Sequence, residues 1–404
     1  MEAVLARCSR GLGYALALAA AALVGACKNS RVGAACGVDT AHECTERGKA
    51  LLARTPPEDR AANEKFRAAC DRGDGEGCLQ LGISLETGRG TSRDEKQAAE
   101  RYRRGCAIGA LAACTNLGVL ILDRDAQGAI VALTRACDQG GALGCYDLGN
   151  LFAQGGPRVE KDSARAASFL TKACEGGDAD GCYGLGMLTF LGDGVPWDGS
   201  QALLLFQQAC RGGNPRGCHM EASMLEGGEG GIKDPLKAAE LYQRACDGGD
   251  SHGCTNLALA ILKEPGTLED ETSALKLLRK SCALGDASGC YDLGVLFSTG
   301  RGTAKDERKA VVAFSAGCDA GDNSACTQFG LRIAQGIGGP IDVQRGVAVL
   351  DRACERGEAE ACVSLARLFD EARGLPRDGV RAETYRRKAC DRGLSSECDG
   401  RVSD

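Results

Sequence analysis

Aromatic side chains are nearly missing from this chain. They make up 4% of its 404 residues, with a single tryptophan, whereas alanine and glycine are abundant. Such a composition does not fill one large globular core; it suits short helices packed closely against one another. Histidine is scarcer still. His42, His219 and His252 share no common register, and no H-E-x-x-H occurs, so a histidine-built metal centre is not expected. Positive charge is not in excess. The formal net charge of −6 sets nucleic acid aside as a partner. The apolar run over residues 11–26 is too short for an ordinary membrane span.

What the chain has in quantity is cysteine, 24 of them, and their spacing is regular. Pairs eight positions apart stand at Cys70/Cys78, Cys106/Cys114, Cys137/Cys145, Cys174/Cys182, Cys210/Cys218, Cys246/Cys254, Cys282/Cys290, Cys318/Cys326, Cys354/Cys362 and Cys390/Cys398, with an eleventh at Cys36/Cys44. From Cys174 the period is a constant 36 residues. A period of this size codes a helix-turn-helix unit that buries its apolar face against its neighbours. The usual relation of chain length to domain count therefore does not apply.

The helices can be placed from the cysteines. Small or apolar residues recur eight, seven, four and one positions before the first cysteine, as in Ala238, Ala239, Tyr242 and Ala245 before Cys246. Those spacings make one stripe of a helix, helix A. Three residues after the first cysteine ten units have glycine, which reads as a left-handed helix stop; the Cys36/Cys44 unit has Asp39 there instead. Asp74, Asp178, Asn214, Asp250, Asp286 and Asp322 follow as N-caps of helix B. Helix B carries the second cysteine in its first turn, then Leu-Gly or Leu-Ala, whose small residue admits a neighbouring helix. The G-x-G loops that end in Asp94, Asp198 and Asp306 read as turns plus N-caps for the next helix A, not as phosphate cradles, because no strand precedes them.

Each cysteine pair thus joins the last turn of A to the first turn of B. A disulfide wants Cα atoms about 5.5–6 Å apart, which a tight turn can supply. Closing a nine-residue loop contributes roughly 2.6 kcal/mol at most. Buried free thiols are the alternative; C-x7-C is not a zinc spacing.

The chain opens on what reads as an export signal, residues 1–26, with Arg7 and Arg10 ahead of the apolar run. It ends Val24-Gly25-Ala26-Cys27, which resembles the lipobox of bacterial lipoproteins. That resemblance implies cleavage before Cys27, a lipid on its sulfur and, with Lys28 next, the outer membrane. Cleavage removes Cys8 and lipid consumes Cys27, so every remaining cysteine has a partner, as an oxidising compartment would require. The expected layout is a tether at 27–35, a degenerate N-terminal cap unit at 36–57, the repeat array at 58–398 and a tail at 399–404.

The G-x-G-x-x-x-D loop, the A-A-x-x-Y helix and the A-x-x-L-G helix resemble the Sel1-like repeat, a relative of the tetratricopeptide repeat. The added C-x7-C is similar to the Helicobacter cysteine-rich protein branch. The resemblance implies an all-α fold, a right-handed α/α solenoid of about ten disulfide-clamped helix-turn-helix repeats. It also implies a concave groove that holds a protein, a peptide or a peptidoglycan fragment, and no cofactor. Penicillin binding or β-lactam hydrolysis is ascribed to that branch. Here one S-x-x-K occurs, Ser273-Ala-Leu-Lys276, without S-D-N or K-T-G, at a position other units fill with Gln97, Gln201, Lys237 or Lys309. No catalytic residue is assigned. A redox or haem-assembly role, as in mitochondrial cytochrome oxidase assembly factors with similar cysteine pairs, is the third reading.

One further row is notable. Arg104, Arg135, Lys172, Arg244, Lys280, Arg352 and Lys388 stand two residues before the first cysteine. An anion-binding ridge is conceivable. A solvated face is the simpler expectation: these cations suit the C-terminus of helix A and can pair with acids three positions on, such as Asp138, Asp247 and Asp391. The sequence is therefore read as an exported, lipid-anchored binding scaffold of the cell envelope.

Overall fold

The computed structural model describes residues 36, 40–156, 158–231, 233–263, 267–372 and 375–394. They form 20 α-helices and one short 3-10 turn, with no β-strand among them. The chain divides into two compact units. The first, Met1–Asp162, holds α1 (Ala41–Leu52), α2 (Asp59–Asp71), α3 (Gly75–Thr87), α4 (Glu95–Ile108), α5 (Leu111–Ile121), α6 (Ala126–Asp138) and α7 (Ala142–Gln154). The second, Ser163–Asp404, begins with α8 (Ser163–Glu175), α9 (Ala179–Leu191), α10 (Gly199–Arg211), α11 (Pro215–Gly227), α12 (Pro235–Asp247) and α13 (Ser251–Lys263). It continues with α14 (Leu268–Ala283), α15 (Ala287–Thr299), α16 (Glu307–Asp319), α17 (Asn323–Gln335), α18 (Val343–Glu355), α19 (Ala359–Glu371) and α20 (Gly379–Asp391). Even-numbered helices are helix A and odd-numbered ones helix B. Each unit is an all-α solenoid of stacked helix pairs.

The capping chemistry recurs from repeat to repeat, although the N-cap positions Glu58, Ala110, Gly141 and Glu358 make no side-chain cap bond. Asp94, Asp198, Asp234, Asp306, Asp342 and Asp378 each accept a hydrogen bond from the backbone N–H three residues on, at 2.9–3.0 Å, and so start helix A. Asp74, Asp178, Asn214, Asp250 and Asp322 do the same for helix B. Asp286 instead accepts from Ser288 N–H, two residues on, at 3.1 Å.

Two kinds of glycine hold the register. Gly73, with φ +90°, turns the chain between α2 and α3, and a Cβ there would meet nothing within 4 Å; backbone conformation alone selects it. Gly294 on α15 is helical, and a Cβ there would stand 2.6 Å from the Phe314 ring of α16. Gly186 faces Phe206 and Gly82 faces Tyr102 in the same way. The small residue after leucine is therefore the seat of the large ring four positions before the next first cysteine. Tyr102, Phe206, Tyr242 and Phe314 are all buried. Within each unit helix B accordingly packs most extensively on the helix A that follows it.

Disulfides join A to B at nine turns. In the first unit they are Cys70–Cys78, Cys106–Cys114 and Cys137–Cys145. In the second they are Cys174–Cys182, Cys210–Cys218, Cys246–Cys254, Cys282–Cys290, Cys318–Cys326 and Cys354–Cys362. The Cα separation expected from the sequence needs correction. It is 4.5 Å at Cys106–Cys114, 4.6 Å at Cys137–Cys145 and 4.4 Å at Cys210–Cys218, and no more than 4.9 Å at any of the nine. These values fall short of the commonest ones because a turn of two or three residues brings the two helix ends close. Cys36–Cys44 precedes them at 5.5 Å. It sits on α1, which a Thr40/Glu43 capping box starts. Cys390 is disulfide-bonded. Its expected partner Cys398 lies outside the described residues, as do Cys27, the signal at 1–26, the tether at 28–35 and the tail at 399–404.

Candidate functional site

In three repeats the residue directly after the second cysteine lies against the cap of the next helix B. Thr45 donates to Asp74 at 2.9 Å, and Thr255 donates to Asp286 at 2.7 Å. His219 occupies the same position, with Nδ1 3.7 Å from Asp250. Where a ring stands there, it packs on the seated ring of the following helix A. Tyr183 lies 6.0 Å from Phe206, His219 5.9 Å from Tyr242, and Tyr291 5.8 Å from Phe314. The guanidinium of Arg216 covers Tyr183 at 4.7 Å. In the second unit this makes a row of half-buried polar rings on helices B, bordered by the caps Asp250, Asp286, Asp322 and Glu358.

The electrostatics of the row follow from burial. His219 is held below its ordinary pKa by burial, which outweighs Asp250, and its Nε2 lies 3.0 Å from Asn256 Nδ2. Burial opposes ionisation of Asp286 as well. Hydrogen bonds from Thr255, Ser288 and Ser281 and the nearby His252 prevail, and its carboxyl sits below the usual range. Asp292, one turn into α15, has no such donors. Burial first, then Asp286 and Asp322, push it up to about 6. Beside the row a cleft of 480 Å³ opens between α11 and α13, lined by Ser223, Glu226, Tyr242, Asn256, Leu259 and Lys263. The row offers rings, amides and carboxylates to a ligand, which is the equipment of a binding face.

Two of the three histidines, His42 and His252, both stand two residues before a second cysteine and lie near the next cap, at 3.6 Å from Asp74 and 3.3 Å from Asp286, whereas His219 stands one residue after one. One further expectation from the sequence needs correction. Lys388 does not pair with Asp391, the acid three positions on. Arg104 reaches back to Asp71, Lys280 to Asp247 and Lys388 to Glu355, each one repeat earlier. Helix A neighbours run side by side, so the previous helix end is nearer than the next turn of the cation's own helix.

The cysteines named from the sequence divide by depth. Cys114, Cys145 and Cys218 are 0%, 2% and 4% exposed, so they are core groups and present nothing to a ligand. Cys114 packs in a small apolar cluster with Cys106 and Ala136, and Cys218 belongs to the core around Phe206 and Tyr242. Their part is to clamp the turn from within. Ser273 lies in the second turn of α14 and is half-buried, whereas Gln97, Gln201, Lys237 and Lys309 at its register are exposed; Lys276 is exposed too. Among the described residues no group of three or more His, Cys, Asp or Glu side chains could hold a metal ion. The ring row was the feature not read from the sequence. Tabulating the residue after the five second cysteines from Cys145 to Cys290 gives Tyr146, Tyr183, His219, Thr255 and Tyr291, which is signal enough.

The family model for the Sel1 repeat matches residues 75–109, 142–178, 179–214, 216–250, 251–286, 287–322 and 359–394, well over half of the chain. The chain belongs to the Sel1 repeat family. The matched segments start at helix B and end just past the following helix A, so in this register the disulfides join adjacent Sel1 repeats. Among solved structures, the chain is similar to a protective antigen of uropathogenic Escherichia coli strains displaying an SLR fold. The TM-score is 0.67 at 26% identity, over 88% of this chain and 78% of that one. A Sel1 repeat protein from Oxalobacter formigenes shares the fold at TM-score 0.60 and 23% identity, over 82% of this chain and 95% of that one. Among curated proteins, human cytochrome c oxidase assembly factor 7 is 35% identical over 97 residues, 21% of this chain and 42% of that protein. The chain thus spans less than half the length of that relative. No described helix is long and apolar enough to cross a membrane. The ten disulfides between described residues are those of a protein in an oxidising compartment.

Proposed function

We propose that this Sel1 repeat chain is an exported binding scaffold, anchored in the outer membrane by a lipid on Cys27, whose second unit holds an extended segment of a partner protein. The ring-and-carboxylate row from Tyr183 to Tyr291 carries the reading. Its residue type changes from repeat to repeat at one fixed register, so successive repeats offer different contacts along a line. Aromatic rings supply contact area at low entropic cost, and the bordering acids favour a segment with lysine or arginine. The Cys27 lipid rests on the lipobox resemblance.

A photoreactive phenylalanine analogue at Tyr183 and at Tyr291 tests the site. Capture of the same envelope protein from both positions, and not from Val312 on the exposed side of α16, is the expected result. Equal capture from all three would overturn the site. Labelled fatty acid incorporated by the full-length chain, and lost in Cys27→Ser, tests the anchor; labelling that persists in the variant would remove it.

A further inference from the structure

The disulfides are not equally shielded, and the difference follows from the cation two positions before the next first cysteine. Arg104 hydrogen-bonds the Asp71 carbonyl, Arg135 the Ala107 carbonyl, Arg244 the Cys210 carbonyl and Lys280 the Cys246 carbonyl. Each side chain thereby lies over the end of the previous helix A. The first cysteines beneath, Cys70, Cys106, Cys210 and Cys246, are 0–5% exposed. Three first cysteines in the second unit lack such a cover and are half-buried: Cys174, Cys282 and Cys318. Over Cys174 stands Gln208, with Oε1 3.2 Å from the sulfur. Over Cys282 the register residue is Ala316. Over Cys318 it is Arg352, whose side chain makes no hydrogen bond or ion pair among the described residues and so lacks the carbonyl latch of its counterparts.

Each uncovered disulfide borders a cleft, and the three clefts differ in charge. The Cys174 cleft, 580 Å³, is lined by both sulfurs' residues and by Glu175, with no cation. The Cys282 cleft, 300 Å³, has Arg308 and Lys309 at its edge, but Cys290 does not line it and Phe297, Val312 and Leu293 do. The cleft at Cys318, 280 Å³, is lined by both Cys318 and Cys326 and by two guanidiniums, Arg352 and Arg356, against one carboxylate, Asp319. The Arg356 side chain too makes no hydrogen bond or ion pair among the described residues.

We propose that the Cys318–Cys326 disulfide is a modification site for a small anionic thiol of the glutathione class, with Arg352 and Arg356 binding its carboxylates. The thiolate attacks the accessible sulfur, Cys318 Sγ. The Cys318–Cys326 bond breaks, its electron pair leaves on Cys326 Sγ, and a mixed disulfide forms at Cys318. Cys326 is the fourth residue of α17, in the first turn, where the helix N-terminus stabilises a thiolate and makes it the better leaving group. A second thiolate that attacks the added sulfur releases the oxidised small thiol and leaves Cys318 reduced. Attack by Cys326 on Cys318 instead restores the original bridge and expels the small thiol.

The oxidised chain is exposed briefly to reduced glutathione, or in parallel to uncharged 2-mercaptoethanol, then acid-quenched, alkylated and mapped by mass spectrometry. Glutathione is expected on Cys318 first. 2-Mercaptoethanol is expected at Cys174 and Cys282 as well. Arg352→Gln with Arg356→Gln should slow the glutathione reaction at Cys318 roughly tenfold and leave the 2-mercaptoethanol rate unchanged. Glutathione adding no faster at Cys318 than at Cys174, or a double variant that slows both thiols alike, overturns the proposal. Both substitutions are at exposed positions, and an unchanged helical circular dichroism signal keeps the comparison valid.

Discussion

Lys280 Nζ lies 2.8 Å from the carbonyl oxygen of Cys246, one repeat upstream, and 3.7 Å from the Asp247 carboxylate beside it. The contact ties helix A of one repeat to helix A of the next at the end that carries the disulfide. An exposed ion pair of this kind contributes little, about 0.2–1 kcal/mol. Its larger consequence is steric, because it roofs a cysteine that is 0% exposed.

Lys280→Ala therefore separates two effects. Urea unfolding should change by less than about 1 kcal/mol. The rate at which 2-mercaptoethanol opens Cys246–Cys254 should rise towards that of Cys174–Cys182. A stability loss of several kcal/mol, or a Cys246 as slow as before, would show that the shield lies elsewhere.

Two glycine substitutions should cost stability for different reasons. Gly294→Ala sets a methyl 2.6 Å from the Phe314 ring, and overpacking of that sort costs about 1–3 kcal/mol. Gly321→Ala meets nothing, but its φ of +102° is one that alanine resists, so about 1–2 kcal/mol is expected. The second-site change Phe314→Leu should relieve the first variant and not the second. Chemical denaturation of the two double variants reads this directly; equal relief of both would contradict the steric assignment.

The architecture was legible in the sequence because the cysteine register fixes everything around it. The Ala-Ala-x-x-Tyr stripe, the left-handed glycine and the Asp caps each stand at a set distance from Cys246 or its equivalents, and local chemistry alone places them. The partner of a surface cation was not legible. Whether Arg104 meets an acid on its own helix or Asp71 of the previous repeat depends on how neighbouring helices A lie, which no spacing within one repeat reveals. The depth of each sulfur was hidden likewise: Cys106 and Cys174 are equivalent first cysteines, yet one is buried and the other borders a cleft. The ring row was missed for a related reason. Tyr183, His219 and Tyr291 look like ordinary helix positions until Phe206, Tyr242 and Phe314 are seen beneath them.

The Asp292 carboxyl gives a pH dependence of definite sign. Its folded pKa, about 6, lies above the unfolded value near 3.8, so the folded state holds the proton more tightly. Stability from this group is fully present below about pH 4 and is lost as pH rises through about 6. Asp292→Asn should be more stable than the parent at pH 7, and the difference should shrink as pH falls towards 4. Denaturant midpoints for both proteins across that window check it. A gap that widens on acidification would mean that Asp292 is stabilised as the anion.

Asp286 has the opposite sign and is the better probe of the face. It accepts from Thr255 at 2.7 Å, from Ser281 at 3.1 Å and from Ser288 hydroxyl at 2.8 Å, and it is 5% exposed. Its side chain thus couples the cap of α15 to α13 and α14. Asp286→Ala would leave the buried Thr255 and Ser281 hydroxyls without this acceptor, though they keep each other at 2.6 Å. The loss should be about 2–3 kcal/mol, above that of a simple cap. Because its carboxyl is held below the usual range, the stabilisation is present above the unfolded pKa and disappears as pH falls through the folded one. Parent and variant should therefore converge in acid. Asp322→Ala, which removes a cap with fewer side-chain donors, should lose less. If the Tyr291 crosslinks fade in Asp286→Ala while those of Tyr183 persist, the row reads its ligand repeat by repeat. If both fade together, the ligand is held by the row as one rigid surface.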